Sequence, residues 1–432
     1  MSRDVALLLT ARVTMSTGRA LAGVTLPVYL ATLGYSGARL GLLFALTSIF
    51  SGGVAVLVGL LSDRFGRKLF VILIPAVTAL CAIIVGFTNV TVLLFAGAVV
   101  GTIGQGSGAG GSSVGPYSPA ETALLTDRTP TQHRNSLFGR LAFFAALGAL
   151  IGGPLAAISD LAGRLGLHGA DAYRPAFALT AVLCVLTALL AMPIANPRRG
   201  PRPGRSPFAW PKCSLPFLSR FWIAIGVNGI ALGFYSPFIT FWFHQRFGAS
   251  AGQIGILYAI INVITMFSNL SAASIARKMG IVRAIASIWV VQALFMIPMA
   301  LSPVFWLAGV FYLFRQLAQR VQMPLRQSYV MGMVPSEERG AVAGLSQLPA
   351  QITSGLAPIP GGYIFDHVSM ELPTLLAALI QCGVAGLMWL FFRHMPPPEE
   401  TGQLVAASLP SDVATNALSP PPQPGGAASE VS

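Results

Sequence analysis

Arg12, Arg19 and Arg315 stand inside apolar stretches of a chain in which only 9% of residues are charged. A guanidinium in such surroundings keeps its charge and calls for a carboxylate, a phosphate or a ring of carbonyls. At about 1.5 Å per residue, Arg19 and Arg315 each fall about halfway along their stretches, and no Asp or Glu is expected near those midpoints. Either an anionic or carbonyl-rich ligand meets these arginines, or backbone carbonyls and side-chain amides hold them in place. Polar residues extend the pattern around Arg315. Tyr312, Arg315, Gln319, Gln322 and Arg326 follow a three-four spacing that places them on one helical face. Tyr258, Asn262, Thr265 and Asn269 form a second such stripe, and Gln347, Gln351 and Ser354 a shorter third. Hydrogen bonding between helices, worth under about 1 kcal/mol per contact, is the competing account of each amide. A separate knot of charge, GLLSDRFGRKLF, sets Asp63, Arg64, Arg67 and Lys68 between apolar runs.

The elements that position these groups are long apolar helices. The 432 residues are 54% hydrophobic, with repeated runs near the roughly 20 residues that cross a bilayer. The formal charge of +13 is spread over short segments between the runs, which argues against a nucleic-acid partner and for basic loops on one side of a membrane. Cys81, Cys184 and Cys382 fall in apolar runs and Cys213 in a basic segment, without metal or disulfide spacing. His133, His168, His244, His367 and His394 lie in loops or at span ends, and no HExxH occurs. GSGAGG, Gly106 to Gly111, fits GxGxxG but follows a hydrophobic helix with no strand, so it reads as packing glycines rather than a nucleotide site. No cofactor and no metal are expected.

Spans are predicted near Val5–Leu33, Gly41–Leu61, Leu69–Phe87, Val92–Val114, Leu137–Ile158 and Arg174–Ile194, then Phe221–Phe243, Gly252–Ile275, Ile281–Leu301, Val304–Gln322, Gly340–Ile364 and Leu372–Phe392. The fold class is therefore an all-α membrane protein of twelve transmembrane helices. It divides into a six-helix half at 1–194, a linker at 195–220, a second six-helix half at 221–394 and a disordered tail at 395–432. The linker's prolines and six basic residues place it in the cytoplasm, and with it both termini. The tail, rich in Pro, Ala and Ser, is too poor in apolar bulk to order itself. SPAETALLTDRTPTQHRNSLFG and MPLRQSYVMGMVPSEERGAVAG align without gaps, so one structural unit occurs twice. Paired halves around a midplane site are a transporter architecture.

Gly59, Asp63, Arg64, Gly66, Arg67 and Lys68 match the GxxxDRxGRK signature of the major facilitator superfamily at every defined position, and on these residues the chain resembles that family. The resemblance implies a gate. Gly59 would admit a neighbouring helix, Asp63 would face the N-terminus of the eleventh helix near Gly340, and the loop bases would pair with Glu121 or Asp127. In the second half Arg277 stands where Asp63 does, while Lys278 and Gly280 are kept. LGALIGGPLAA resembles the family's antiporter motif through Gly153 and Pro154, with Ala149 departing from it, and LAGVTLPVYL resembles a drug-exporter pattern through Pro27.

The implied function is a secondary exporter of small organic molecules driven by protons, a functional monomer of a prokaryotic inner membrane. Arg19, Tyr258, Asn262, Tyr312, Arg315, Gln319 and Gln351 are its expected cavity residues. Asp63 and Glu121 are its expected proton carriers. An organic-anion carrier using Arg19 and Arg315 is the alternative. A membrane-embedded lipid enzyme is a remote one, for which the sequence offers no nucleophile or metal constellation.

Overall fold

The computed structural model describes residues 3–104, 115–127, 134–194, 214–266, 279–335, 338, 342 and 345–395, and every regular element among them is a helix. In chain order these are α1 (Arg3–Thr32), α2 (Gly37–Phe65), α3 (Arg67–Phe87), α4 (Thr91–Val100), α5 (Tyr117–Asp127), α6 (Arg134–Gly152), α7 (Ala157–Arg164) and α8 (Arg174–Ala191). There follow α9 (Leu215–Tyr235), α10 (Ile239–Phe247), α11 (Ala251–Met266), α12 (Ile281–Leu301), α13 (Phe305–Gly332), α14 (Leu348–Leu356), α15 (Pro358–His367) and α16 (Leu372–Phe392). Among the described residues, 7 helical stretches are long and apolar enough to cross a membrane. Helices α1 and α13, with 30 and 28 residues, are also long enough but are not among them. Their arginines and other polar residues dilute the hydropathy rather than the helix.

The sequence places α12 and α16 to the residue. It ends the tenth span at Gln322, whereas α13 runs on through Pro324 to Gly332. Gln322 and Tyr329 are buried there, so the polar face that stops the apolar run points into protein and the helix has no reason to end. The fifth span bends at Gly153. Pro154 has no N–H to continue the ladder, and a 3₁₀ turn at Pro154–Ala156 leads into α7. The seventh span is divided between α9 and α10, and the eleventh between α14 and α15, with Pro237 and Pro358 at the breaks. The predicted span Val92–Val114 is helical to Val100, and Tyr117–Asp127 forms a helix of its own. The 195–213 part of the linker, the tail from 396, GSGAGG, Asn269, Arg277, Lys278, Arg339 and Gly340 lie outside the described residues.

Short turns alternate between two ends of the bundle, called here the terminal end, where α1 begins, and the distal end. Helix α1 packs on α6 and α8, and α3 on α8. Helix α9 packs on α14 and α16, and α12 on α13 and α16. Across the two sets, distal contacts join α2 to α15 and α11 to α6, α7 and the intervening turn. There the backbones touch. A Cβ on Gly255 would overlap the Gly153 carbonyl, and one on Gly41 would overlap that of Pro358. Phe44 meets Phe238 edge-on with centroids 6.0 Å apart, so the apolar core runs across the distal side.

Two carboxylates complete the distal seal. The N–H groups of Gly37 and Ala38, at the start of α2, donate to Oδ1 and Oδ2 of Asp366 in α15, both at 2.7 Å. The Ser250 hydroxyl and Gly252 N–H, at the start of α11, donate to Asp160 Oδ2 in α7 at 2.7 and 3.1 Å. Each acid sits at a helix N-terminus of the other half of the chain, where its charge meets the positive end of the helix dipole. By contrast, no described atom lies within 4 Å of where a Cβ on Gly59 would stand, near the terminal end of α2.

Candidate functional site

Helix α1 carries two of the arginines, seven residues apart and both buried. Arg12 Nη1 donates to Glu121 Oε2 of α5 at 2.7 Å, and the Glu121 side chain has no solvent exposure. Glu121 Oε1 has no hydrogen-bond partner among the described residues. A buried pair of this kind has paid desolvation for both charges, and removing one leaves the other uncompensated. Among the described residues Glu121 is thus paired with Arg12 rather than with a loop base as the resemblance suggested, while the side chains of Arg64 and Asp127 lie outside the described residues. Arg67 instead donates from Nη1 to the Ala123 carbonyl of α5 at 2.6 Å.

Arg19 is 5% exposed. Its Nη1 donates to Thr102 Oγ1 at 2.9 Å and its Nη2 to the Thr102 carbonyl at 3.0 Å. Thr102 follows the end of α4 with φ at 49°, a left-handed conformation that a β-branched residue rarely adopts. The strain lets one residue present both its oxygens to one guanidinium. A Cβ on Gly115 would stand 3.2 Å from Arg19 Nη2. The sequence points to Arg19 but not to Thr102. The signal available was a threonine between Gly101 and Gly104 inside an expected span.

Arg315, on α13, is fully buried. Its Nη1 donates to Gln316 Oε1 and Gln319 Oε1, both at 3.0 Å, and its guanidinium carbon lies 4.1 Å from the centroid of the Tyr235 ring. That cation–π contact offsets part of the missing counter-charge. Gln316 Nε2 donates to the Tyr312 hydroxyl at 3.2 Å, and the Tyr258 and Thr240 hydroxyls are bonded at 2.9 Å. Asn262 is half-buried on α11, and Gln351 is exposed on α14. Amides, carbonyls and a ring therefore hold the two midspan arginines. Among the described residues their partners are separate sets, Arg19's in the first half of the chain and Arg315's in the second.

At the charged knot, Asp63 and Arg64 lie in the last turn of α2, and their side chains lie outside the described residues, as does the expected partner near Gly340. Gly66 caps α2 and opens α3 at φ 93°, where a side chain would be strained. Gly280 opens α12 at φ 79°, so the second half repeats this turn. Lys68 is half-buried.

Residues 8–318 and 221–423 match the sequence profile of the Major Facilitator Superfamily. The chain belongs to the Major Facilitator Superfamily. Its similar relatives include the multidrug resistance protein MdtG of Serratia proteamaculans, 25% identical over 386 residues that cover 86% of this chain and 89% of that one. The MdtG of Proteus mirabilis is 21% identical over 383 residues, covering 85% and 90%. Among solved structures, the POT family transporter PepTSo superposes with a TM-score of 0.70 at 10% identity, covering 91% of this chain and 98% of that one. An inward-facing bacterial homologue of the human lysosomal transporter Spinster superposes at 0.68 with 15% identity, covering 90% and 97%. The chain is accordingly a facilitator-superfamily transporter, an integral membrane protein that carries small molecules.

Proposed function

We propose that the chain is a proton-coupled exporter of small organic molecules that works by alternating access. The observation that carries this reading is the Arg12–Glu121 pair. Glu121 is the one fully buried carboxylate among the described residues, and it is joined to the helix that also carries Arg19. A proton on Glu121 cancels its charge and frees Arg12, and loss of the proton restores the pair. Helix α1 is thereby coupled to proton exchange through Glu121, with no second fully buried acid among the described residues.

The two six-helix halves, 1–194 and 221–394, rock about a cavity that includes Arg19, Tyr258, Asn262, Tyr312, Arg315, Gln319 and Gln351. The distal seal at Asp366 and Asp160 is one end state of the cycle. In the other, Asp63 faces the helix after Gly340 and closes the terminal end. The basic linker supports placing both termini in the cytoplasm of a prokaryotic inner membrane, with the protein a functional monomer. The multidrug relatives, at 21–25% identity, support export as the direction. A second reading, carriage of organic anions, is favoured by the absence of any carboxylate among Arg315's partners in the described residues.

The test is efflux from proteoliposomes under an imposed pH gradient, with wild type and Glu121→Gln compared on tetraphenylphosphonium, benzoate and a neutral dye. Gradient-driven efflux that collapses in Glu121→Gln supports the proposal. Full gradient-driven efflux in that variant removes Glu121 from the coupling.

A further inference from the structure

The second half contains a polar chamber that includes the expected cavity residues Gln319 and Gln351 and extends beyond them. It occupies about 200 Å³ among α9, α12, α13, α14 and α16. A single water needs only about 10–15 Å³, so the space is of molecular size. Its back wall is made of amides: Asn228, Gln292 and Gln381 within largely apolar helices, and Gln322 on the polar face of α13. Met323 and Gln351 are exposed at the other side, on the helices that carry the cavity stripes.

Among the described residues these amides are fully satisfied neither by one another nor by other side chains. Gln292 Nε2 donates to Gln322 Oε1 at 3.3 Å, which leaves Gln322 Nε2 without a partner. Gln381 is fully buried, and neither its Nε2 nor its Oε1 has one. Asn228 Oδ1 is likewise unpaired at 4% exposure. Among the described residues Arg326 supplies the only charge on the chamber wall and no Asp or Glu lines the space. Arg326 Nη2 donates to Gln347 Oε1 at 3.2 Å, and its Nε has no partner among the described residues. Burying polar atoms without hydrogen bonds is costly, and several converging on one space indicate an occupant that supplies them.

We propose that this chamber is a binding site for a small organic monoanion, whose carboxylate accepts hydrogen bonds from Arg326 and from the amide N–H groups of Gln322 and Gln381. The charge decides the class. One guanidinium with no acid attracts an anion and repels a cation, and a planar carboxylate can take two parallel N–H bonds from it. Leu232, Met323 and Ala350 supply apolar surface for the body of the ligand. Neither Arg19 nor Arg315 lines the space, although Gln319, which accepts from Arg315, does, and the site enlists Gln292 and Gln381 from the apolar helices α12 and α16.

The inference rests on the reading of the chain as a carrier of small organic solutes, and it deepens that reading by naming a class. The test measures binding alone, so its failure leaves gradient-driven transport to stand or fall separately. Purified full-length protein in nanodiscs is titrated calorimetrically with benzoate, benzamide and benzyltrimethylammonium. Benzoate should bind, the neutral and cationic probes at least tenfold more weakly, and Arg326→Gln should lower benzoate affinity at least tenfold while Arg174→Gln, at the partly exposed start of α8 beside Asp171, does not. A second variant, Gln381→Leu, guards against misfolding of the first. It removes an unpaired buried amide and keeps the charge, so it should raise the melting temperature and still weaken benzoate. No benzoate binding to wild type, equal binding to Arg326→Gln, or a Gln381→Leu protein that melts lower with benzoate affinity unchanged would each overturn the proposal.

Discussion

Replacing Asp366 and Asp160 by asparagine should open the distal end. Each carboxylate accepts two hydrogen bonds from the first turn of a helix in the opposite half of the chain, at 2.7 and 2.7 Å for Asp366 and at 2.7 and 3.1 Å for Asp160. Hydrogen bonds to a charged group contribute about 1.5–3 kcal/mol each when buried, and the charge at a helix N-terminus about 0.3–1 kcal/mol more. Asp366 is solvent-exposed, and asparagine keeps one acceptor oxygen, so the loss is about 1–2 kcal/mol per site. The sites share no partner and should add. The double variant then loses about 2–4 kcal/mol, a roughly 30- to 1,000-fold shift in the ratio of distal-closed to distal-open protein. The assay is the rate at which an impermeant maleimide, added from the distal face, labels a cysteine at Ser48, which lies against Gly355 beneath the seal. The native cysteines are replaced first. Labelling should accelerate in each single variant and more in the double. An unchanged rate in a double variant of wild-type thermal stability would refute the reasoning.

Gly255→Leu should act on the same seal by sterics, because a side chain there overlaps the Gly153 carbonyl; transport should fall at least tenfold while expression and membrane insertion persist. Asp63→Asn should leave the fold intact but raise labelling of cysteines placed at the terminal end and lower transport, since it weakens the opposite closure; unchanged labelling with unchanged transport would leave Asp63 a topological residue. At the distal turn before α16, burial would raise the Glu371 carboxyl, but hydrogen bonds from the Ser369 hydroxyl, its own N–H and Arg246, with the Arg246 charge, hold it below the ordinary value. A depressed folded pKa gives stability that is present above the unfolded value and lost as pH falls through the folded one. Glu371→Gln should therefore lower thermal stability by no more than about 1 kcal/mol at pH 7, with the difference disappearing once the wild-type carboxyl is protonated below the usual carboxylate range.

Span positions were legible in the sequence wherever hydropathy alone decides them, as at Ile281–Leu301 and Leu372–Phe392. They were not legible where a polar face is buried in protein, because Gln322 and Arg326 read as an ending and are the inner wall of a continuing helix. The arginines were found by type and depth, but their partners were not. Glu121 lies 109 positions from Arg12, and Thr102 lies 83 from Arg19. Such pairings follow from how helices pack, which local pattern does not encode. The distal carboxylates escaped for another reason: Asp160 and Asp366 sit at span ends, where an acid is ordinarily solvated, and only the neighbouring helix N-terminus gives each a role.

Proton movement against substrate movement tests the central claim most directly. Proteoliposomes loaded with a pH-sensitive dye would receive tetraphenylphosphonium, benzoate or a neutral dye on one side, with wild type and Glu121→Gln compared and substrate counterflow measured in parallel. The account predicts that wild type moves protons opposite to at least one of these probes. It also predicts that Glu121→Gln keeps counterflow of that probe and loses the proton signal. A wild-type protein that carries the probe with no proton movement, or a Glu121→Gln protein whose proton signal equals wild type, would contradict it.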